Sequence, residues 1–413
     1  MSSRLDCEGL LPPHDSVPFV TVTQRGALRL KSGHLWVYRS DLSRAGTIPP
    51  GALVHVSDDR GRVLGSALYS SASQIAIRLL TSQVIPENEL FTLLRQRIDA
   101  AIYFRQQNVH DADSYRVIFS EADLLPGMIV DKYNDVLAMQ VLTQAFNRED
   151  LRKVVAEKLA EHFPSASLLE RVDPHIRELE QLPKRESEFA FAFGDRASTV
   201  FHLNGVRFHF DGLAGQKTGA FLDQRENYAA AARYAHGDAL DCFTYQGGFA
   251  LHLARVCSTV TAVDASRPAL EVAEQNEQLN RDSHTCSEIE WIEGNAFDLL
   301  KDHSSAGRQY DTIVLDPPAF AKSKRTATTA LRGYKELNLR SLKMLRPGGV
   351  LVTCSCSFHV GEPEFLEMLA HAAADAGRRL RILEKRGAAT DHPVLVGVPE
   401  TSYLKCVIVQ VID

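Results

Sequence analysis

Beyond residue 200 the chain alternates between short apolar runs and longer amphipathic stretches. The apolar runs predict five strands, at 239–241, 259–264, 289–293, 312–316 and 350–354. The amphipathic stretches predict helices at 248–256, 266–280, 296–302, 328–345 and 362–376. Because parallel neighbours need a long crossover connection, this alternation predicts a parallel sheet with helices on both faces. The fold class is therefore predicted to be α/β.

The first 200 residues have a different rhythm. Between 19 and 82, short β-type runs alternate with turns and predict a small β-rich domain. A helical stretch follows at 87–107, and the part from 114 to 200 mixes predicted strands with a helix at 148–162. A length of 413 residues suits two or three domains. The predicted division is 19–85 for the β-rich domain, 86–200 for a middle α+β domain and 201–413 for the α/β domain.

Composition excludes several classes of protein. No stretch reaches the roughly 18 to 20 consecutive apolar residues of a membrane span. The polar residues 1–16 show no secretory signal, so a cytoplasmic location and no membrane partner are expected. The seven cysteines are scattered and odd in number, which argues against a disulfide framework. They include no C-x-x-C pair, so no metal site is expected.

The charge is distributed unevenly. The whole chain carries a net charge of −6, whereas residues 1–85 hold nine Lys or Arg against six acids. A local basic face is enough to bind nucleic acid, so the overall charge does not exclude such a partner. An ordinary mixed surface remains the alternative interpretation of this region.

The first predicted strand–helix turn, 242–248, has features of a ligand site. Open α/β sheets bind ligands beyond the carboxyl ends of their strands, close to this turn. Gly247 allows the backbone to approach a ligand closely. Asp264 follows Asp241 by 23 residues and ends the second strand, where a carboxylate can accept the two ribose hydroxyls of a nucleoside.

The turn does not suit a pyrophosphate, because it lacks the G-x-G-x-x-G pattern. Its aromatic residues Phe243, Tyr245 and Phe249 favour a cofactor without phosphates, such as S-adenosylmethionine. The alternative is that Phe243 and Phe249 belong to the core and that Asp264 caps the following helix.

Two later strand ends carry the most reactive groups. Segment 315–320 reads Leu-Asp-Pro-Pro-Ala-Phe, and segment 353–357 reads Thr-Cys-Ser-Cys-Ser. A carboxylate (Asp316) and a thiol at the ends of neighbouring strands indicate covalent chemistry on a flat, electron-poor ring. With a nucleoside cofactor nearby, these segments point to a methyltransferase that acts on a pyrimidine base. Cys354 and Cys356 lie on the same face if the strand continues through residue 355, so both are candidates for the nucleophile.

The motifs, in their order, resemble the RlmI-type 23S ribosomal RNA cytosine-5 methyltransferases. The resemblance covers most of the chain and rests on segments 31–38, 114–118, 125–127, 216–225, 316–318, 333–338, 355–357, 391–393 and 403–405. It implies a PUA-like RNA-binding domain at the N-terminus, a middle domain, and a C-terminal Rossmann-like class I domain that binds S-adenosylmethionine. Segment 120–124, Ser-Glu-Ala-Asp-Leu, departs from the family's usual Gly-Glu-x-Asp-Gly.

The resemblance also implies roles for individual residues. Cys356, in the family's Ser-Cys-Ser segment, is the expected nucleophile, and Asp316 is expected to hold the intermediate. The expected cofactor contacts are Lys217, Gln224, Arg225, Asp241, Phe243, Tyr245, Gly247, Asp264, Asn295 and Asp316. The expected substrate contacts are Pro317, Pro318, Phe320, Arg25 and Lys31.

Two of these assignments leave alternatives. Asn295 stands where many relatives carry Asp, although its side-chain oxygen can still accept a hydrogen bond from the adenine amine. Segment 215–225 also fits a plain helix start, with Asp223 and Arg225 in surface ion pairs. The basic residues Lys322, Lys324 and Arg325 follow the Asp-Pro-Pro segment and fit either a substrate contact or a solvated surface.

Other activities share part of this pattern. Asp-Pro-Pro followed by an aromatic residue also occurs in N-methyltransferases, including guanine-N7 ribosomal RNA enzymes, which need no thiol. Cys356 therefore favours carbon methylation over the alternative of a guanine or exocyclic-amine N-methyltransferase. A non-catalytic RNA-binding assembly factor is the third possibility. The expected partner is 23S ribosomal RNA or a large-subunit precursor, and a homodimer is compatible with the sequence.

Overall fold

A computed structural model describes residues 17–413 except 111, 186, 188, 214–218, 282–286 and 322. Its first sheet, counted over the described residues, has six strands in the order β2-β6-β5-β4-β1-β3. The elements are β1 (Phe19–Val22), α1 (Gln24–Lys31), β2 (Trp36–Tyr38), β3 (Leu42–Ala45), β4 (Leu53–Asp58), β5 (Val63–Tyr69) and β6 (Ile75–Thr81). The runs at β1, β4, β5 and β6 were predicted from the sequence, whereas α1, β2 and β3 were not.

The middle sheet follows a long helix. Within the described ranges its strand order is β11-β10-β9-β8-β7. The elements are α2 (Glu87–Asn108), β7 (Ser114–Phe119), β8 (Met128–Tyr133), β9 (Val136–Val141), α3 (Glu149–His162), β10 (Ser167–Arg171), α4 (Pro174–Leu179) and β11 (Phe189–Phe193). Leu90, Leu94 and Ile98 of α2 share one buried core with Val117 of β7 and Leu68 of β5. The first two sheets are therefore packed against each other through that core.

A hairpin leads into the third sheet. It consists of β12 (Ser198–Leu203) and β13 (Val206–Asp211), so β12 crosses the predicted domain boundary at 200. The stacked rings of Tyr133 and Phe210, 3.9 Å apart, join the hairpin to the middle sheet. The hairpin also contributes Phe208 to the core beneath the following helices.

The third sheet has the order β16-β15-β14-β17-β18-β20-β19 over the described residues. Its elements are α5 (Arg225–Tyr234), β14 (Asp238–Cys242), α6 (Gly248–Leu253), β15 (Thr259–Asp264), α7 (Arg267–Asn280), β16 (Ile289–Glu293), α8 (Ala296–Ser305), β17 (Tyr310–Leu315), α9 (Ala327–Met344), β18 (Leu345–Ser355), α10 (Glu362–Ala376), β19 (Leu380–Arg386) and β20 (Lys405–Val411). The strands β14 to β18 are parallel, which confirms the prediction from strand–helix alternation.

The last two strands were not predicted. β20 runs antiparallel to β18 on one side and to β19 on the other. Buried side chains fill both faces of the sheet, with Leu240 and Ile313 on one side and Ala239 and Val314 on the other.

None of the helices in the described ranges combines the length and apolar character needed to cross a membrane.

Candidate functional site

The carboxyl ends of β14, β17 and β18 meet at one edge of the third sheet. Cys242 pairs with Leu315, and Leu315 pairs with Thr353. The turn after β14, the Asp-Pro-Pro segment after β17 and the two-cysteine segment at the end of β18 are therefore adjacent. The backbone N–H of Asp316 donates to the carbonyl of Cys242 at 3.4 Å. The three segments that the sequence predicted to act together are brought together here.

The turn after β14 has an unusual backbone. Phe243 and Tyr245 have φ values of 66° and 52°, and Gly247, the N-cap residue of α6, has φ 85°. Positive φ is uncommon for aromatic residues and clusters at ligand sites. The N–H of Tyr245 donates to Asp264 at 2.9 Å, which ties the turn to the end of β15. Phe243 and Tyr245 are both only partly buried, so their side chains line the edge of the site.

Asp241 is a fully buried acid next to this turn. Its Oδ2 atom accepts hydrogen bonds from the Thr244 hydroxyl at 2.6 Å and from the N–H of Ala250 at 3.0 Å. Its Oδ1 atom is buried and has no hydrogen-bond partner among the described residues. Burial raises the pKa of Asp241 to about 7, with a further contribution from Asp264, while the two hydrogen bonds oppose the shift. The site thus holds a buried acceptor that lacks a donor.

Asp316 adds a second acid with a raised pKa. Burial raises its pKa to about 8, and the charges of Asp223 and Asp241 add to the shift. A hydrogen bond from the Gln224 side chain opposes it. Gln224 is itself buried and accepts a hydrogen bond from Asn227 at 2.7 Å. Three neighbouring carboxylates make this region attractive to a cationic ligand.

Arg225 lies beside this cluster but is bound elsewhere. It is buried, and its Nη2 atom donates to Asp391 at 3.0 Å. Asp391 also accepts from the N–H of Arg116 at 2.8 Å, and its carbonyl accepts from Arg105 at 2.8 Å. The alternative of a surface ion pair is therefore wrong for Arg225, because its partner lies in the contact with the middle domain. Lys217, predicted to bind the cofactor, lies outside the described residues.

Asp264 and Asn295 lie at the ends of neighbouring strands. Both oxygens of Asp264 accept backbone N–H groups, from Tyr245 and from Ser266, each at 2.9 Å. The cap of α7 is Ser266 and not Asp264. Asn295 caps α8, and its Oδ1 atom accepts from the N–H of Phe297 at 2.9 Å. Each of these oxygens has a second lone pair, so each can accept a hydrogen bond from a ligand.

The two candidate thiols differ in exposure. Among the described cysteines, Cys356 alone is partly exposed, while Cys242, Cys257, Cys354 and Cys406 are buried. Cys354 faces Cys406 across β18 and β20, and burial raises its pKa well above the usual range. Cys356 follows the last residue of β18, where the strand leaves the sheet.

Polar contacts fix the backbone around Cys356. The Ser357 hydroxyl lies 2.9 Å from the Tyr334 hydroxyl and accepts the N–H of Ala321 at 3.1 Å. The Ser357 carbonyl accepts a hydrogen bond from Lys405 at 2.8 Å. Lys405 and Tyr334 carry no assignment from the sequence, although segments 333–338 and 403–405 belong to the motifs that carried the resemblance.

The Asp-Pro-Pro segment has one buried and one exposed proline. Pro317 is buried and Pro318 is exposed. The Phe320 ring packs on Tyr334 with 4.7 Å between ring centroids and lies 5.9 Å from Phe297. Phe320 is partly exposed, so Pro318 and part of this ring are accessible at the carboxyl end of β17.

The predicted substrate contacts of the first domain lie on α1. Arg25 is largely exposed and pairs with the buried Asp41 at 2.5 Å. Lys31 is 3.5 Å from Asp58 and is also exposed. Arg39 instead donates to backbone carbonyls within the domain, which indicates a structural role. The helix that presents Arg25 and Lys31 was missed because it is only eight residues long.

Other basic residues lie closer to the thiol. Lys324 and Arg325 are exposed in the segment after Asp-Pro-Pro, whereas Lys322 lies outside the described residues.

A cavity of about 400 Å³, lined in part by Val206 and Ile289, opens near the start of β16. The parallel strands begin at that end of the sheet, so this cavity is not part of the candidate site.

Two regions of the chain match known protein families. Residues 20–82 match a PUA-like domain, and residues 184–405 match an S-adenosylmethionine-dependent methyltransferase. Ribosomal RNA large subunit methyltransferase I from Yersinia pseudotuberculosis serotype O:1b (strain IP 31758) is 34% identical over 388 residues, covering 90% of this chain and 94% of that protein. The protein of the same name from Yersinia pestis bv. Antiqua (strain Angola) has the same identity and coverage.

Solved structures share the fold at much lower identity. SMU.776, a protein assigned as a methyltransferase and crystallised with SAH, has a TM-score of 0.80 and 18% identity, covering 95% of this chain and 100% of its own. An S-adenosylmethionine-dependent methyltransferase from Streptococcus mutans has a TM-score of 0.78 and 18% identity at the same coverage. At this identity the likeness shows the fold alone, and it extends over nearly the whole chain.

Proposed function

The chain belongs to the S-adenosylmethionine-dependent methyltransferase family that includes ribosomal RNA large subunit methyltransferase I, and we propose that it methylates carbon 5 of a cytosine in 23S ribosomal RNA. The observation that carries this proposal is the partly exposed thiol of Cys356 beside the Asp-Pro-Pro segment. The relatives' name supports large-subunit ribosomal RNA as the substrate. The PUA-like domain supports an RNA substrate as well.

The residues at the strand ends fit the cofactor. S-adenosylmethionine supplies an electrophilic methyl group on a positively charged sulfur and also carries an ammonium group. The unpartnered Oδ1 atom of Asp241 suits a hydrogen bond from such an ammonium group. Asp264 would accept the ribose hydroxyls, and Asn295 the adenine amine. Gly247, Phe243, Tyr245 and Gln224 would line the remaining walls, and we include Lys217 and Arg225 on the resemblance alone.

Carbon 5 of cytosine is too weak a nucleophile to take the methyl group unaided. In the proposed mechanism the Cys356 thiolate adds to carbon 6 and the displaced electron pair of the C5=C6 double bond makes carbon 5 nucleophilic. Carbon 5 would then take the methyl group as the methyl–sulfur bond breaks and its electron pair stays on the departing sulfur. A base removes the proton from carbon 5, the C6–S bond breaks, and the thiolate is restored. Burial argues against Cys354 in this role, because it keeps that sulfur protonated and out of reach of a substrate.

Asp316 would hold the ring during this sequence. It follows β17 directly beside the end of β18. Its carboxylate can accept hydrogen bonds from the exocyclic amine and from the ring nitrogen once that nitrogen is protonated. Pro318 and Phe320 offer apolar surface for stacking on a base. A base inside a helix cannot reach this edge, so the target cytosine must be unpaired or flipped out.

More distant parts of the substrate would lie along basic side chains. Arg25 and Lys31 on α1, and Lys324 and Arg325 near the thiol, are exposed and can contact phosphates. Such contacts orient RNA without reading its sequence. We therefore assign them to positioning of the RNA and not to the choice of nucleotide.

A methyl-transfer assay with two matched variants tests the proposal. We expect the wild type to move tritiated methyl groups from S-adenosylmethionine to 23S ribosomal RNA. Cys356→Ala should abolish transfer while cofactor binding survives, whereas Cys354→Ala should remain active. Full activity of Cys356→Ala would exclude the covalent mechanism.

Trapping on 5-fluorocytidine RNA separates the possible reactions. Carbon-5 chemistry should leave a stable adduct on the peptide that contains Cys356, because fluorine blocks release of the enzyme. Transfer to guanine or to an exocyclic amine, without an adduct, would support an N-methyltransferase instead. Cofactor and RNA binding without any transfer would support an assembly factor. Mapping 5-methylcytosine in ribosomal RNA from cells that lack the protein would locate the nucleotide.

A further inference from the structure

Lys405 connects β20 to the segment that carries Cys356. It is the first residue of β20 and pairs with Ser355 of β18 in antiparallel register. Its ammonium group donates hydrogen bonds to the carbonyls of Ser357 and Tyr403, both at 2.8 Å. The side chain is partly buried between these strands. One lysine thus fixes the backbone immediately after the thiol.

The charge of this lysine acts on the thiol. Lys405 and Cys356 interact electrostatically, and a negative charge on the sulfur favours the ammonium form of the lysine. Burial lowers the pKa of Lys405 to about 8, so the group is still mainly charged at pH 7. Two of its three N–H donors serve the carbonyls, which leaves one for another acceptor.

Other titratable groups interact with the pair or lie near it, among them Asp316 at the end of the neighbouring strand. Glu364 of α10 is exposed and interacts with Lys405. Tyr334 of α9 is affected by the charge of Cys356, and burial raises its pKa, so it stays neutral at pH 7. Lys405 is therefore the cation that faces the sulfur among these groups, and Glu364 partly offsets its charge.

We propose that Lys405 is a positioning residue that holds Cys356 as a thiolate and aligns it by fixing the Ser357 carbonyl. The proposal rests on the proposed function, because it matters for catalysis only if Cys356 is the nucleophile. The proton of the thiol passes to solvent when the S–H bond breaks, and no bond forms between the sulfur and Lys405. A thiolate is the form that attacks carbon 6, so its population at neutral pH sets the rate of the first step.

The reactivity of Cys356 toward iodoacetamide tests this inference directly. The rate of alkylation would be followed from pH 5.5 to 9.5 by peptide mass spectrometry, on the full-length protein without cofactor or RNA. Lys405→Met should raise the midpoint of this pH profile by about one unit or more, since an adjacent cation lowers a thiol pKa. At a pH below both midpoints this corresponds to a loss of about tenfold in alkylation rate. Lys405→Arg should restore most of the rate.

A second pair of variants controls for folding and for general charge effects. Lys385→Met removes a lysine of the adjacent strand β19 that pairs with Glu362 of α10 at 2.6 Å, and it should leave the midpoint unchanged. Glu364→Gln removes an exposed anion that interacts with Lys405, and it should change the midpoint by less than Lys405→Met does. If Lys405→Met does not fold, Lys405→Gln, which removes the charge but keeps a hydrogen-bond donor, is measured in its place and should raise the midpoint in the same direction.

The outcomes separate this inference from the proposed function. An unchanged midpoint in a folded Lys405→Met or Lys405→Gln protein would overturn the role of Lys405. That result would leave the covalent mechanism untouched as long as Cys356→Ala still abolishes methyl transfer. Conversely, a shifted midpoint together with an active Cys356→Ala protein would refute the proposed mechanism while the electrostatic coupling stands.

Discussion

Replacing Asp241 by Asn should change stability and cofactor binding in opposite directions. The carboxyl is fully buried, and burial raises its pKa to about 7. In the unfolded chain the same group ionises near its ordinary pKa of 3.8. As the pH rises from about 4 to 7, the unfolded chain therefore loses the proton first, and the folded protein loses stability. Asn carries no charge and removes this cost.

The magnitude follows from the two pKa values. Keeping a carboxylate ionised where its pKa is about 7 and not 3.8 costs roughly 4 kcal/mol at neutral pH. The amide N–H₂ of Asn at the Oδ1 position would have no partner, which costs about 1–3 kcal/mol. The net gain is about 1–3 kcal/mol in the free energy of unfolding without cofactor, and each kcal/mol raises the Tm by about 2–4 °C for a domain of this size.

Cofactor binding should respond in the opposite sense. The Oδ1 atom is the acceptor that suits a cationic group, and Asn presents a donor there instead. Loss of one charge-assisted hydrogen bond costs about 1.5–3 kcal/mol, or roughly 10- to 100-fold in affinity. Stabilisation by S-adenosylmethionine should shrink accordingly, since a ligand stabilises the folded protein in proportion to the logarithm of its concentration over Kd.

Thermal unfolding with and without cofactor, at pH 5 and pH 7.5, measures both effects. The matched control is Asp238→Asn, at the other end of β14, whose carboxylate pairs with Arg346 at 3.2 Å on the surface. It should lower the Tm slightly and leave the cofactor-induced shift unchanged. An Asp241→Asn protein that is less stable than the wild type at pH 7.5 would show that ionised Asp241 does not destabilise the folded protein. A variant that keeps the full cofactor-induced shift in Tm would show that the Oδ1 atom does not bind the cofactor.

Three further predictions concern the surroundings of the site. Gly248→Ala should lower the stability by about 1–3 kcal/mol in denaturant unfolding. The new Cβ would lie 2.5 Å from the buried ring of Tyr228, so a stability equal to wild type would contradict this packing. Arg225→Met should lower the free energy of unfolding by about 3–5 kcal/mol, because it leaves the buried carboxylate of Asp391 without this partner. A decrease below about 1 kcal/mol would show that the pair is better solvated than its burial indicates. The affinity for S-adenosylmethionine, measured by calorimetry, should rise from pH 6 to pH 8 as Asp241, with its pKa of about 7, and the neighbouring Asp316, with its pKa of about 8, give up their protons to meet a cation. An affinity that is flat over this range would contradict a cationic ligand beside these two acids.

Much of the α/β architecture could be predicted because its signals are local. The strands β15 and β16 coincide with the predicted runs 259–264 and 289–293. A strand buried on both faces reads as a short apolar run, as β15 does, whereas the edge strand β16 keeps exposed Glu290 and Glu293 among its apolar residues. The helices α7 and α10 begin within one residue of prediction, where Ser266 and Gly361 precede a proline.

Elements that depend on distant partners were missed. The strand β20 is stable because it inserts between β18 and β19, and its own residues do not identify that position. The helix α1 and the strands β2 and β3 are too short to show a periodic pattern. Their conformations depend on packing within the first sheet, and the residues of a short segment do not reveal those contacts.

The chemical groups at the ends of the strands follow from the amino-acid sequence alone. The apolar runs that precede them identify Asp316 and a thiol as strand-end residues. The first strand–helix turn identifies Gly247 as a residue that lets a ligand approach the backbone. Alternation along a strand places both Cys354 and Cys356 on one face, so the preference for Cys356 came from the resemblance and not from the strand pattern. The tertiary structure decided their environments: β20 covers Cys354 with Cys406, whereas Cys356 follows the end of β18 and stays partly exposed.

The same division applies to the charged residues. Arg225 and Lys405 both belong to motifs that the sequence revealed, but their partners lie far away along the chain. Asp391 is 166 residues from Arg225, and Ser357 is 48 residues from Lys405. A side chain's charge is known from its residue type, whereas its pKa and its role depend on which groups the fold buries beside it.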